Sequence, residues 1–308
     1  TTEIYTLSLH DALPISMKSR EFTIWMKGDA KMPGMLFLVG TPIGNLGDIS
    51  PRAREVLSAA DFIAAEDTRV SLKLLNHFEI KKPLVSYYEH NKYTSGEKIL
   101  SRILNGETCA LITDAGMPAI SDPGTDIVSL CVKNGVEVNV VPGPCAAVSA
   151  LAVSALPAGR FTFEGFLSIS RKSRVAHLES LRNEQRTMIF YEAPHKLLKT
   201  LTDLLDVLGD RAVSISREMT KCHEQTLRTT LSGAVAYFTE NRPRGEFVLV
   251  VAGAGEVPAE TVSQEEGLAL VMKYRGEGLS LGEAAQLASA DTGISKNRLY
   301  RLALEHME

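Results

Sequence analysis

Reactive side chains gather in a few short stretches of the chain, mostly just after an apolar run. Glu66-Asp67-Thr68-Arg69 follows Phe62–Ala65, Glu89-His90 follows the run ending at Tyr88, and His223-Glu224 lies just after Lys221. A carboxylate or imidazole so placed can take the proton of a weak nucleophile such as a hydroxyl. Arg69, Lys92 and Lys221 can hold phosphate or steady a developing oxyanion. Asp67, Arg69, Glu89 and His90 form the candidate catalytic group, because each pair closes an apolar strand at its carboxyl end. The competing reading for Asp67 and Arg69 is a structural ion pair with each other. His77, His177 and His306 fall in helical patterns, where a histidine more often packs or meets solvent. Cys109, Cys131, Cys145 and Cys222 contain no C-x-x-C pair. That disfavours a zinc ribbon or a thioredoxin-type centre, no metal site is expected, and scattered thiols suit a reducing cytoplasm.

Three loops have the composition of ligand-binding turns. Gly40-Thr-Pro-Ile-Gly44-Asn-Leu-Gly47 joins a strand to a helix. Pro42 occupies the second glycine position of the dinucleotide fingerprint, and no Gly-Lys-Ser/Thr follows, so dinucleotide and NTP binding lose support. Thr113–Gly124 packs Gly, Pro and two Asp into one loop after a strand, where open α/β sheets hold ligands. Pro142-Gly-Pro144 leads into the small-residue run Cys145–Ala150, whose side chains would admit an adenosine-sized group. Ordinary turn chemistry is the alternative for each loop.

The elements that must position these groups alternate. Strands are expected at Met35–Val39, Phe62–Ala65, Leu84–Tyr88, Cys109–Thr113 and Glu137–Val141. A second set follows at Arg160–Phe166, Thr187–Tyr191, Ala212–Ser216 and Phe247–Ala252. Helices lie between them, including Pro51–Ala59 behind the cap Ser50, Ser173–Asn183 and Leu231–Glu240. Continuous apolar strands suit a sheet covered on both faces, and the alternation is α/β. Pro and Gly near 154–160 and 253–258 mark linkers. They divide the chain into an α/β domain at 35–155, a second at 160–253 and a strand-free helical tail at 259–308. The cadence of 279–300 is that of a helix-turn-helix, which contacts nucleic acid or serves as a small bundle or dimerisation element. Residues 1–34 do not read like the rest. Their first half resembles translated adapter sequence, with a genuine leader as the alternative, and lacks the pattern of a secretory signal.

The chain has 308 residues, 44% of them hydrophobic and 23% charged, with a net charge of −4. General disorder is excluded, and no apolar run approaches the roughly 20 residues of a membrane span. The total hides an asymmetry. Residues 160–253 carry 14 Lys/Arg against 11 Asp/Glu, a net +3, while both flanks are acidic. Arg171, Lys172 and Arg174, in a loop that reads as flexible, together with Lys221, are the candidate RNA contacts on that basic domain.

Val39–Leu46, Ala65–Arg69, the Asp114–Gly124 loop, Val141–Pro144, Phe190–His195, Arg217–Glu224 and Gly245–Val251 together resemble the tetrapyrrole-methylase family, and within it the branch acting on small-subunit ribosomal RNA. The resemblance runs from Met35 to the C-terminus. It implies two α/β domains of the class III methyltransferase type around a cleft, plus the helix-turn-helix-like tail. It further implies S-adenosylmethionine as cofactor, 2′-O-methylation of a cytidine ribose in the decoding region of 16S rRNA, and a homodimer. By motif position the cofactor would meet Pro42, Asp114, Ala115, Gly116, Cys145, Ala146, Tyr191, Glu192 and Glu218. Met117 and Cys145 are mild departures, where Thr and Ser are more usual. The competing functions are a tetrapyrrole methylase of cobalamin or sirohaem synthesis and a non-catalytic RNA-binding sensor of the cofactor.

Overall fold

The computed structural model describes residues 34–255, 263–292 and 294–307. The segment before Gly34 and most of the second linker lie outside the described residues. The first sheet contains β1 (Met35–Val39), β2 (Phe62–Ala65), β3 (Leu84–Ser86), β4 (Cys109–Ile112) and β5 (Glu137–Val141), all parallel, in the order β3-β2-β4-β1-β5. Alternate residues of each strand serve opposite faces. Met35, Phe37 and Val39 of β1 pack with Ala53, Val56 and Leu57 of α1 (Pro51–Ala59) and Leu75 of α2 (Thr68–His77). Leu36, between them, packs with Ile99 and Ile103 of α3 (Lys92–Leu104) and Ile127 and Cys131 of α4 (Thr125–Lys133). This double cover is why the strands are apolar throughout.

The second sheet is mixed, in the order β6-β7-β10-β8-β9. Its strands are β6 (Phe161–Phe166), β7 (Thr187–Glu192), β8 (Ala212–Arg217), β9 (Gln225–Thr230) and β10 (Phe247–Val251). β6 and β7 are parallel and the remaining pairings antiparallel. One face carries α6 (Arg171–Ser180), α7 (Leu197–Leu208) and α8 (Leu231–Glu240), through Leu178, Leu201, Leu204 and Phe238. The other face is covered by α5 (Ala146–Val153), whose Ala147, Ala150 and Leu151 meet Ile189, Val248 and Val250. That helix follows β5 directly and so joins the two sheets as a wedge. The tail forms a three-helix cluster from α9 (Gln264–Gly276), α10 (Leu281–Thr292) and α11 (Lys296–Met307), closed on Val271, Ala284, Ala288 and Leu299.

β9 was not expected from the sequence. Gln225-Thr-Leu-Arg-Thr-Thr230 is polar because it forms an exposed edge and buries little. The loop expected to clamp RNA at 168–174 is also different: α6 starts at Arg171. Arg174 is buried rather than presented to solvent. Its Nε donates to Asp203 Oδ2 at 2.7 Å and its Nη1 to the carbonyls of Ser168 and Ile169 at 2.9 and 3.1 Å. Buried and ion-paired to Asp203, the guanidinium is closed off from a phosphate in solvent, so Arg174 is a structural residue. Arg171 remains exposed, 3.6 Å from the same Asp203, and Lys172 is exposed beside it.

Candidate active site

β1 and β4 are neighbours in the first sheet, yet the chain leaves them in opposite directions. After β1 it crosses towards β2, and after β4 towards β5. A crevice therefore opens at their carboxyl ends, the usual ligand position in such sheets. The loops there are tied together. Thr41 N–H donates to Gly116 O at 2.9 Å and Gly116 N–H to Thr41 O at 3.2 Å. The fully buried Thr41 hydroxyl donates to Thr113 O at 3.1 Å. Gly40 and Gly143 touch backbone to backbone. A Cβ on Gly40 would lie 2.6 Å from the Gly143 Cα, so both turns need glycine. Within the second loop Gly116, Ala119 and Ser121 have φ of 91°, 68° and 64°. Left-handed backbone at two non-glycine residues is costly and collects where a fold holds a ligand.

The crevice continues as a cleft of about 520 Å³ between the two sheets. The first sheet contributes Ile43, Glu66, Thr113–Met117 and Ile120–Asp122. The β5–α5 turn contributes Cys145 and Ala146, and the second sheet Phe166, Tyr191–Pro194, Met219, Lys221 and Glu246–Val248. Tyr191 is fixed from three sides: its hydroxyl accepts from Ala147 N–H at 3.1 Å, and Phe163 and Phe166 pack edge-on against its ring. Thr113 Oγ1 donates to Glu66 Oε2 at 2.9 Å, and Asp114 Oδ1 accepts from Asp67 N–H at 3.2 Å. Burial pushes the Asp122 carboxyl up to about 6, with the charges of Glu66 and Asp114 adding to the effect and a hydrogen bond from Thr113 opposing it. Burial likewise raises Asp114. The lining is thus strongly acidic, with Glu66, Asp114, Asp122, Glu192 and Glu246 facing the single cation Lys221.

The residues 35–235 match the family model of tetrapyrrole (corrin/porphyrin) methylases. The chain belongs to the tetrapyrrole methylase family. Residues 263–306 match the model of the RsmI C-terminal HTH domain. Among its relatives, the ribosomal RNA small subunit methyltransferase I of Synechocystis sp. is 47% identical over 273 residues, 88% of this chain and 98% of that protein. The protein of the same name from Halalkalibacterium halodurans is 47% identical over 272 residues, 87% of this chain and 94% of its own length. Among solved structures, the uroporphyrin-III C-methyltransferase of Thermus thermophilus complexed with S-adenyl homocysteine superposes with a TM-score of 0.51. It is 19% identical and covers 71% of this chain and 97% of its own, a likeness of fold. The chain is accordingly a methyltransferase.

Of the residues expected to hold a cofactor, this methylase brings Asp114, Ala115, Gly116, Cys145, Ala146, Tyr191 and Glu192 to the cleft. Glu192 does so with its carboxylate already engaged, by Ala193 N–H at 2.8 Å and Thr200 Oγ1 at 2.6 Å. Pro42 and Glu218 stand outside the lining. The neighbour Ile43 takes the place of Pro42 in the wall. Glu218 locks the rim instead, accepting from Lys221 Nζ and Glu246 N–H, each at 3.0 Å. Asp67 is the N-cap of α2 and grips Arg69 through both carboxylate oxygens, at 3.0 and 2.6 Å. That pairing holds the Asp67 carboxyl down at about 2. The two residues are thus paired with each other beside Asp114. Glu89 and His90 do not reach the cleft. Glu89 is bound to Lys92 at 2.7 Å and His90 sits edge-on to Tyr88. They fall outside because β3 is the far edge strand, separated from β1 by β2 and β4. Asp122, Phe166 and Glu246 escaped the sequence reading. Asp122 lay within a loop recognised as a whole, whereas the other two are delivered by the second sheet.

Proposed function

We propose that this methyltransferase binds S-adenosylmethionine in the cleft between its sheets and methylates the 2′-hydroxyl of a cytidine in the decoding region of 16S rRNA. The carrying observation is the acidic lining. The cofactor has a sulfonium and an ammonium, and a cleft holding Asp114, Asp122, Glu66 and Glu246 against one lysine suits a cation and repels phosphate. Ile43, Ile120, Met219 and Val248 offer apolar walls for a purine, and the small Cys145 and Ala146 leave room beside it. S-adenosylmethionine, when bound, supplies a methyl group already activated by the sulfonium. What remains for the chain is to hold the acceptor hydroxyl, exclude water and remove one proton. A base works best with a pKa near the working pH, and burial brings the Asp122 carboxyl in the cleft wall up to about 6. Asp67 and Arg69 border the acceptor side of the mouth.

The relatives named above act on small-subunit rRNA, and the net +3 of residues 160–253 gives the phosphate backbone a place to dock. The reading includes work in the cytoplasm, in keeping with free thiols, and a homodimer, for which the exposed Val140, Val148 and Val153 offer apolar surface. Labelled S-adenosylmethionine offered with 30S subunits, naked 16S rRNA and a tetrapyrrole precursor tests it. Label is expected on a cytidine 2′-oxygen of the RNA. Label on the tetrapyrrole, or on no acceptor, overturns the reading.

A further inference from the structure

A second cavity, of about 320 Å³, opens on the second sheet and has the opposite electrostatic character. Arg217, Gln225, Tyr237, Asn241, Arg242 and Arg244 line its polar side, with Glu240 the one carboxylate. Among the described residues neither the Arg242 nor the Arg244 guanidinium has an ion-pair or hydrogen-bond partner. Arg217 spends only its Nε, on Arg244 O at 2.6 Å. Three arginines thus line a concavity whose floor is the apolar Ile215, Leu227 and Phe238. Unpaired guanidinium forks over an apolar floor, with a half-buried tyrosine at one side, suit a nucleotide: phosphate to the forks, sugar or base to the floor. The volume is at the lower end of ligand pockets, room for one nucleotide and not for a duplex.

Its position gives it meaning. Phe247 borders both cavities, and in the sheet it lies opposite Glu192 on one side and Arg217 on the other. Glu192 lines the acidic cleft and Arg217 the basic pocket. The two sites therefore lie at the same end of the second sheet, on its opposite faces, with Phe247 between them. Glu218 fixes that end through the Glu246 N–H and Lys221. We infer that the Arg217–Arg242–Arg244 pocket holds a nucleotide flanking the target in the single-stranded RNA substrate, so that the strand is anchored by phosphate at the basic pocket while the acceptor ribose enters the acidic cleft. This rests on the reading of the protein as an RNA ribose methyltransferase.

The test is the double variant Arg242→Ala/Arg244→Ala, with Arg242→Lys/Arg244→Lys as a charge-retaining partner. Each is compared with wild type for methylation of 30S subunits, for salt-dependent binding of a short single-stranded 16S oligoribonucleotide, and for calorimetric binding of S-adenosylmethionine. The alanine pair is expected to raise KM for RNA about tenfold and to flatten the salt slope by about 1.4, from two contacts at roughly 0.7 each, leaving cofactor affinity unchanged. The lysine pair should restore most of the slope. An alanine pair with wild-type KM and slope overturns the inference while methylation by the wild type sustains the function. Wild-type RNA binding that the alanine pair flattens, without methyl transfer to 30S subunits, sustains the pocket and overturns the function. No RNA binding by the wild type overturns both.

Discussion

Asp122 is the residue whose titration should be visible. Burial raises its carboxyl from the usual range near 4 to about 6, so between those values the folded state binds more protons than the unfolded one. The stabilisation it gives when protonated is fully present below about pH 4 and is lost as pH rises through 6. Above that, the ionised group is a cost to the fold. Asp122→Asn is therefore expected to melt higher than wild type at pH 8, by about 1 kcal/mol once solvent screening is allowed for, and to match it at pH 4. Wild-type affinity for S-adenosylmethionine should strengthen as pH rises from 5 to 7, because the cation is drawn to the ionised form. The variant should show a flatter profile. Thermal melts and calorimetry across pH read both effects.

At the scale of elements, α6 is held to α7 by the Arg174–Asp203 pair, in which both side chains are buried. Arg174→Ala leaves Asp203 with only the exposed Arg171 and strips the donors from two loop carbonyls, so a loss of about 3 kcal/mol is expected in denaturant unfolding. An RNA contact would instead show as a shallower salt slope with stability intact. The same helix shows what a sequence withholds. Arg171-Lys-Ser-Arg174 reads as a flexible basic loop suited to RNA, since nothing local discloses a carboxylate 29 residues further on. β9 was hidden for the converse reason: an edge strand needs no apolar run to form. By contrast β1, β2, β4, β7 and β10 were legible, because double burial demands unbroken apolar residues. The loops at Gly40, Gly116 and Gly143 were legible because their backbones admit few residue types. Glu89 and His90 were misplaced for want of strand order, which no residue pattern along β3 encodes. Phe166 and Glu246 arrive by tertiary packing alone.

Across the whole molecule, charge is sorted between two neighbouring sites. The cleft between the sheets is acidic, and the neighbouring pocket on the second sheet is basic. A small cation and a polyanion can thus occupy adjoining sites without competing. Raising salt from 50 to 200 mM should weaken RNA binding by orders of magnitude and cofactor binding by only a few-fold, measured as the two log-log slopes on the same preparation. The wedge helix α5 has a consequence for synthesis. It leaves the ribosome well before the surface that covers it, because β10, the central strand of that surface, ends only at Val251. Ala147, Ala150 and Leu151 must wait uncovered for roughly a hundred residues of translation. A nascent chain arrested near residue 200 would be a finished first sheet carrying an adhesive helix, the species a chaperone should recognise.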